Sequence, residues 1–330
     1  MSGGNLNYQL RPNKYVERAL FVELLSKICG AKTHTYAYVS MGGPQLEDHR
    51  LIHKTLGIKK LYSFEIDKNV LLRQQFNKSP SVLTCLSGSI SHFIDDFEGF
   101  TEREKLKKYK LIIWLDYASG EWLSQLTEFQ KLISKLTLGD TLKITMSANI
   151  SSLGSKDPNN KENTETIESI RYKCMGNKIG DYMPNDIPKV INDENDLVKI
   201  LARSIQFASE RGAESLLGLE PALLSLFTYK DGVRMITATV RIMNKVDLSL
   251  LKVIDWEFTP DSWQNITKIE IPELSVKERL HLDSLLPSEN VEDIHTQLSF
   301  KLHTKHEDSL NMLKSYAAHY RRYPGYQIVA

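Results

Sequence analysis

From Thr35 to Asn149 the chain alternates short apolar runs with amphipathic stretches, and this rhythm constrains the fold more than any other feature. "TYAYVSM", "KKLYSFEID", "SVLTCLSG", "KLIIWLDYA" and "DTLKITMSAN" suit buried strands. Between them, "LEDHRLIHKTLG", "VLLRQQFN", "ISHFIDDF" and "WLSQLTEFQKLISKLT" space their apolar residues for helices. Strand and helix alternating at these intervals means βαβ units and a mostly parallel sheet. Runs as continuously apolar as "LIIWL" are expected where helices cover both faces. Upstream, "YVERALFVELLSKIC" predicts a helix that packs on the sheet. Downstream, "ALLSLFTYKDGVRMITATVRI" predicts two strands around the Lys230-Asp231-Gly232 turn, so a doubly wound α/β sheet ends in an antiparallel hairpin.

The 330 residues then divide into an N-terminal helical segment over 1–30, an α/β domain over 31–245 and a C-terminal extension over 246–330. Within the domain, about 151–195 is rich in Asn, Asp, Lys and Pro with little periodicity, and reads as an insertion, a lid or a mobile loop. The extension holds a capping box at Ser275 and Glu278 and a last helix in "HEDSLNMLKSYAAHYRRY". With 42 basic against 41 acidic side chains there is no global field for a polyanion, and any nucleic-acid contact needs a local patch. Cys29, Cys85 and Cys174 are odd in number and lack C-x-x-C spacing, which argues against a disulfide framework or zinc ribbon and for a reducing cytoplasm. A polar N-terminus and the lack of a long apolar run predict no signal peptide and no membrane span.

The first strand-to-helix turn is the natural ligand crevice of such a sheet. In "SMGGPQLED", Gly42 and Gly43 let the backbone approach a ligand. Pro44 removes one N–H, and Glu47 and Asp48 make a poor pyrophosphate cradle, so dinucleotides and triphosphates are disfavoured. Glu65, ending "LYSFE", is placed to accept hydrogen bonds from two ribose hydroxyls, and Asp67 to cap the next helix. This combination suits an adenosine ligand without phosphates.

Over roughly Lys32 to Arg241 these features resemble the class I S-adenosylmethionine-dependent methyltransferases. The resemblance implies a seven-stranded Rossmann-like sheet with S-adenosylmethionine as cofactor. Gly42 and Gly43 look like the family's first motif, Glu65 like its ribose-binding acid, and Gly88 and Ser89 in "LSGSIS" sit where the family reads adenine. Asp116, ending "LIIWLD", looks like the residue that faces the methyl group and orients or deprotonates the acceptor, with Tyr117 as its substrate-stacking or hydrogen-bonding neighbour. "LRPNKYVER", "WLDY" and "HYRRYPGY" are also similar to bacterial methyltransferase-like proteins, some associated with antiviral defence loci. The first motif has few glycines, "LSGS" lacks the usual acid, and "LDYA" is not the "PPY" of enzymes that methylate amino groups of bases. Those departures keep a second reading open, an inactive methyltransferase-like binding or sensor module. The acceptor is left open, as a nucleic acid, a protein or another molecule.

His49 and His53 stand i, i+4 but lack the Glu of H-E-x-x-H, and read as two surface histidines, not metal ligands. "EREKLKKYK" reads as a solvated face, and "HYRRYPGY" as a basic stretch whose tyrosines suit base stacking, with Arg11, Lys14 and Arg18 as possible company. A nuclease is disfavoured because Glu65, Asp67 and Lys68 have the wrong spacing for its metal and lysine arrangement.

Overall fold

The computed structural model describes residues 11–78, 81–154, 165–244, 255–288 and 290–324. Helix α1 (Pro12–Cys29) precedes strand β1 (Tyr36–Ser40), and α2 (Glu47–Leu56), β2 (Leu61–Glu65), α3 (Lys68–Asn77) and β3 (Leu83–Ser87) follow in alternation. Then come α4 (Ile90–Asp95), α5 (Phe97–Arg103), β4 (Lys110–Asp116), α6 (Trp122–Ile133) and β5 (Thr141–Ser147). Two further helices, α7 (Ile167–Ile179) and α8 (Glu194–Ala213), lead to the hairpin of β6 (Leu219–Asp231) and β7 (Val233–Asn244). The chain continues through β8 (Thr267–Ile269), α9 (Val276–Leu285), α10 (Val291–Gln297) and α11 (His306–His319).

The strands form one sheet in the order β3-β2-β1-β4-β5-β7-β6-β8. β1 to β5 are parallel and β7 runs antiparallel to β5, so the expected Rossmann-like sheet is present. The extended stretch near Ile269 adds a short eighth strand to the expected seven. The helix starts follow local chemistry. Asp67 caps α3 by accepting the Val70 N–H, Ser275 and Glu278 form the capping box of α9, and α2 closes at Gly57.

Two compact units divide the chain. The larger runs over Val22–Thr228 and Val233–Thr267. Its core lies on one sheet face, where Val39, Ile113, Leu115, Ile144, Met146 and Ala238 pack with Phe93, Phe100, Leu126, Phe129, Leu201 and Ile205 of the helices. The segment read as an aperiodic insertion contributes α7, started by the Thr166 cap, and Met175 and Ile179 of that helix join the core. Residues 155–164 of that segment lie outside the described residues. The smaller unit holds the first turns of α1, the hairpin tip and the chain from Lys268 on. There Asp231 does more than turn the hairpin: its carboxylate accepts the Asn13 and Lys14 amides at 3.3 and 2.7 Å and so caps α1.

Candidate functional site

Ligand crevices in such sheets open beyond the carboxyl ends of the strands, where the strand order reverses. Here it reverses between β1 and β4. The turn after β1 and the end of β4 therefore flank the crevice, with β2 and β3 alongside.

The glycine turn is tied down from below. The Gly42 N–H donates to Ser63 Oγ at 3.1 Å, the Gly42 carbonyl accepts from the Gln74 side chain, and Ser63 donates to Gln74 Oε1 at 3.1 Å. Asn77 adds a bond to the Pro44 carbonyl at 3.0 Å. A Cβ on Gly42 would lie 2.5 Å from Ser63 Oγ, 2.8 Å from Leu46 Cδ2 and 3.0 Å from His49 Cε1, so glycine is required there for space. Gly43 accepts the Leu46 N–H at 3.1 Å and closes the turn into α2.

Glu65 ends β2 half-buried, and its Oε1 receives the Asp67 N–H at 2.9 Å. Burial pushes its carboxyl above the ordinary range, against the lowering effect of the Asp67 and Ile66 amides. The Gly88 N–H donates to the Glu65 carbonyl at 3.1 Å, with Gly88 at φ 151°. Glu65 and Gly88 are thus brought together. Ser89 stands beside them, and its hydroxyl caps α4 by accepting the His92 N–H at 3.1 Å. Ile66 was not singled out from the sequence, yet it is 77 % exposed directly after Glu65. The available signal was the apolar residue that follows the acid in "FEI".

Asp116 is half-buried at the end of β4, in register with Thr145. Tyr117 turns the other way. Its hydroxyl donates to Glu128 of α6, which also accepts from Ser91 of α4, and its ring packs on the apolar core. Burial first, and then the Glu128 charge, push the Tyr117 phenol well above its usual range. The sequence placed Tyr117 toward substrate; the structure engages its hydroxyl in tying the end of β4 to α4 and α6.

Below Asp116 the sheet face opposite that core buries polar side chains among apolar ones such as Ile112 and Leu61. Ser63, Ser40, Trp114, Lys143 and Thr239 lie side by side across β2, β1, β4, β5 and β7. Trp114 Nε1 donates to Thr145 Oγ1 at 2.9 Å, Thr145 bonds Thr237 at 3.1 Å, and the buried Lys143 Nζ stands 3.7 Å above the Trp114 ring. The sequence pattern "TLKITMS" held this signal in its polar alternate positions.

His49 is not a surface histidine. It is fully buried between Asp48 and the Tyr62 carbonyl, and His53 is half-buried with Nδ1 2.8 Å from the Ile58 carbonyl. Among the described residues no group of three or more His, Cys, Asp or Glu is arranged to hold a metal ion. In the smaller unit Tyr323 is buried beneath the Arg279 guanidinium, 4.6 Å from its ring, and is not offered for base stacking. No helix among the described residues is long and apolar enough to cross a membrane.

A family described as "Putative O-methyltransferase" matches residues 6–330. The chain belongs to this family. No protein of curated function matches it. Among solved structures the chain resembles LepI in complex with SAM, at 10% identity over 66% of this chain and 46% of that one, with TM-score 0.35. It also resembles Trm1 from Pyrococcus horikoshii with S-adenosyl-L-methionine, at 10% identity over 69% and 56% and TM-score 0.43. A third is the plantazolicin methyltransferase BpumL in complex with a triazolic desmethylPZN analog and SAH, at 10% identity over 71% and 88% and TM-score 0.39. The chain spans about half the length of the first two, and the family assignment rests on none of the three.

Proposed function

We propose that this chain transfers the methyl group of S-adenosylmethionine to an oxygen acceptor. The observation that carries the reading is the meeting of the Gly42 turn, the Glu65 and Gly88 strand ends and Asp116 around the point where the strand order reverses. The residues fit the cofactor. Gly42 lets the turn pack down onto Ser63, Leu46 and His49, Glu65 offers a carboxylate to ribose hydroxyls, and exposed Ile66 with Gly88 and Ser89 offers an edge to adenine. When bound, S-adenosylmethionine supplies an electrophilic methyl group whose carbon–sulfur bond breaks as the acceptor oxygen bonds to carbon. The chain's part is to hold donor and acceptor in line. Asp116 orients the acceptor hydroxyl and takes its proton, a role a carboxylate at the strand end can serve.

The test is transfer of a tritium-labelled methyl group from S-adenosylmethionine to a panel of phenols, aliphatic alcohols and carboxylic acids. Wild type is expected to label a hydroxyl acceptor, and Asp116→Asn to lower kcat by about 100-fold or more with cofactor affinity retained. A second reading, a binding module without transfer, is favoured by one observation: the Ser89 and Tyr117 hydroxyls are already engaged inside the fold. Cofactor binding with no transfer to any acceptor supports that reading.

A further inference from the structure

The floor of the glycine turn carries a polar pair that the proposed reaction does not use. His49 is 0 % exposed, with Nδ1 3.0 Å from Asp48 Oδ1 and Nε2 3.0 Å from the Tyr62 carbonyl oxygen. A carbonyl has no proton to give, so Nε2 is the donor in that bond. Asp48 Oδ2 accepts two hydroxyls, from Tyr38 at 2.7 Å and Ser40 at 2.8 Å, a set that matches an ionised carboxylate. An ionised carboxylate only accepts, so Nδ1 donates as well. An imidazole that donates from both nitrogens is an imidazolium. Asp48 also lies in the first turn of α2, where the helix dipole favours negative charge, and the Tyr38 ring stands edge-on to His49 at 5.1 Å.

We propose that Asp48 and His49 form a buried ion pair and that His49 is a positioning residue for the glycine turn. This rests on the reading of Gly42 as part of the cofactor site. His49 Cε1 stands where a Gly42 Cβ would meet it at 3.0 Å, so the ring sets how deep the turn can sit. A desolvated pair tolerates burial only with its hydrogen bonds in place, and here both ring nitrogens and both carboxylate oxygens have them. The ring therefore has one position, held by β1 through Asp48 and by β2 through Tyr62. A turn resting on that floor meets the cofactor already ordered, which removes an ordering cost from binding. Of the titratable groups, the ionised Asp48 carboxylate of α2 and the neutral Tyr38 phenol of β1 face the ring. The Ser63 and Gln74 groups that hold the turn from β2 and α3 are neutral.

Nitrogen-15 NMR of histidine-labelled wild type tests the charge directly. Two N–H protons on the His49 ring at neutral pH are expected, and one N–H beside a bare nitrogen overturns the pair. A double-mutant cycle tests the coupling. Asp48→Asn and His49→Gln should each lower Tm, and the double variant should lose less than the two losses added, whereas additive losses contradict the pair. Folded His49→Gln should bind S-adenosylmethionine about tenfold more weakly by calorimetry, and unchanged affinity overturns the positioning role. The two readings fail separately. If wild type shows the doubly protonated ring yet binds no S-adenosylmethionine, the cofactor reading falls, taking the positioning role with it, while the ion pair stands.

Discussion

The two faces of the central sheet are built on opposite rules. On one, β4, β5 and β7 present Leu111, Ile113, Leu115, Leu142, Ile144, Met146, Ile236, Ala238 and Val240 to a dry layer of helices. On the other, the same strands bury Ile112 and Trp114 together with Thr141, Lys143, Thr145, Thr237 and Thr239. Burial is equally complete on both, so hydrophobicity alone does not explain the second face. The apolar face supplies stability, because each side chain removed from water there adds about 25 cal/mol per Å². On the second face the Trp114–Thr145–Thr237 hydrogen bonds and the Lys143 ammonium over the Trp114 ring are directional contacts, which fix geometry. Asp116 and the Glu65 strand end sit at the rim of this specified face, as a site that must hold two reactants in line requires.

Ile144→Ala gives the sharpest break between the faces. A cavity in the apolar layer should lower unfolding stability by about 2–5 kcal/mol in denaturant titrations while the folded fraction keeps its S-adenosylmethionine affinity. A tenfold affinity loss in the folded variant would show that the faces are not separable. Gly42→Ala should do the reverse in emphasis. Overpacking against Ser63, Leu46 and His49 costs about 1–3 kcal/mol, and calorimetry should show cofactor affinity down by about 100-fold or more.

Glu65→Gln separates stability from function by sign. Burial raises the carboxyl above its ordinary 4.5, so its contribution to stability is present below that value and lost as pH rises through the raised one. At neutral pH the ionised acid disfavours the fold, and the neutral amide should leave Tm unchanged or slightly higher. The same change should weaken S-adenosylmethionine binding about tenfold or more, since an amide is a poorer ribose acceptor. Tyr117→Phe is the smallest expected effect: about 1 kcal/mol of stability from the lost Glu128 bond, with kcat within about twofold of wild type. A large fall in kcat with Tm unchanged would return Tyr117 to the acceptor side.

These contrasts follow how much of the molecule the sequence discloses. The parallel sheet was legible because strand and helix periods differ, and the hairpin because Asp231-Gly232 marks its turn. The positions of Glu65 and Asp116 at strand ends were legible because each acid closes an apolar run. His49 was not, since its partners are the neighbouring Asp48 and a carbonyl of another strand, and a histidine in a polar stretch looks exposed until that strand is laid against it. Helix α7 was missed because it sends Met175 and Ile179 into the core from an otherwise polar, lysine-rich stretch.

The most direct test of the account is calorimetric titration of wild type and Glu65→Gln with S-adenosylmethionine and S-adenosylhomocysteine. The account predicts micromolar binding of both ligands to wild type, weakened about tenfold or more in a variant of undiminished Tm. No binding to wild type, or equal binding to the two proteins, would contradict the placement of the cofactor between the glycine turn and Glu65.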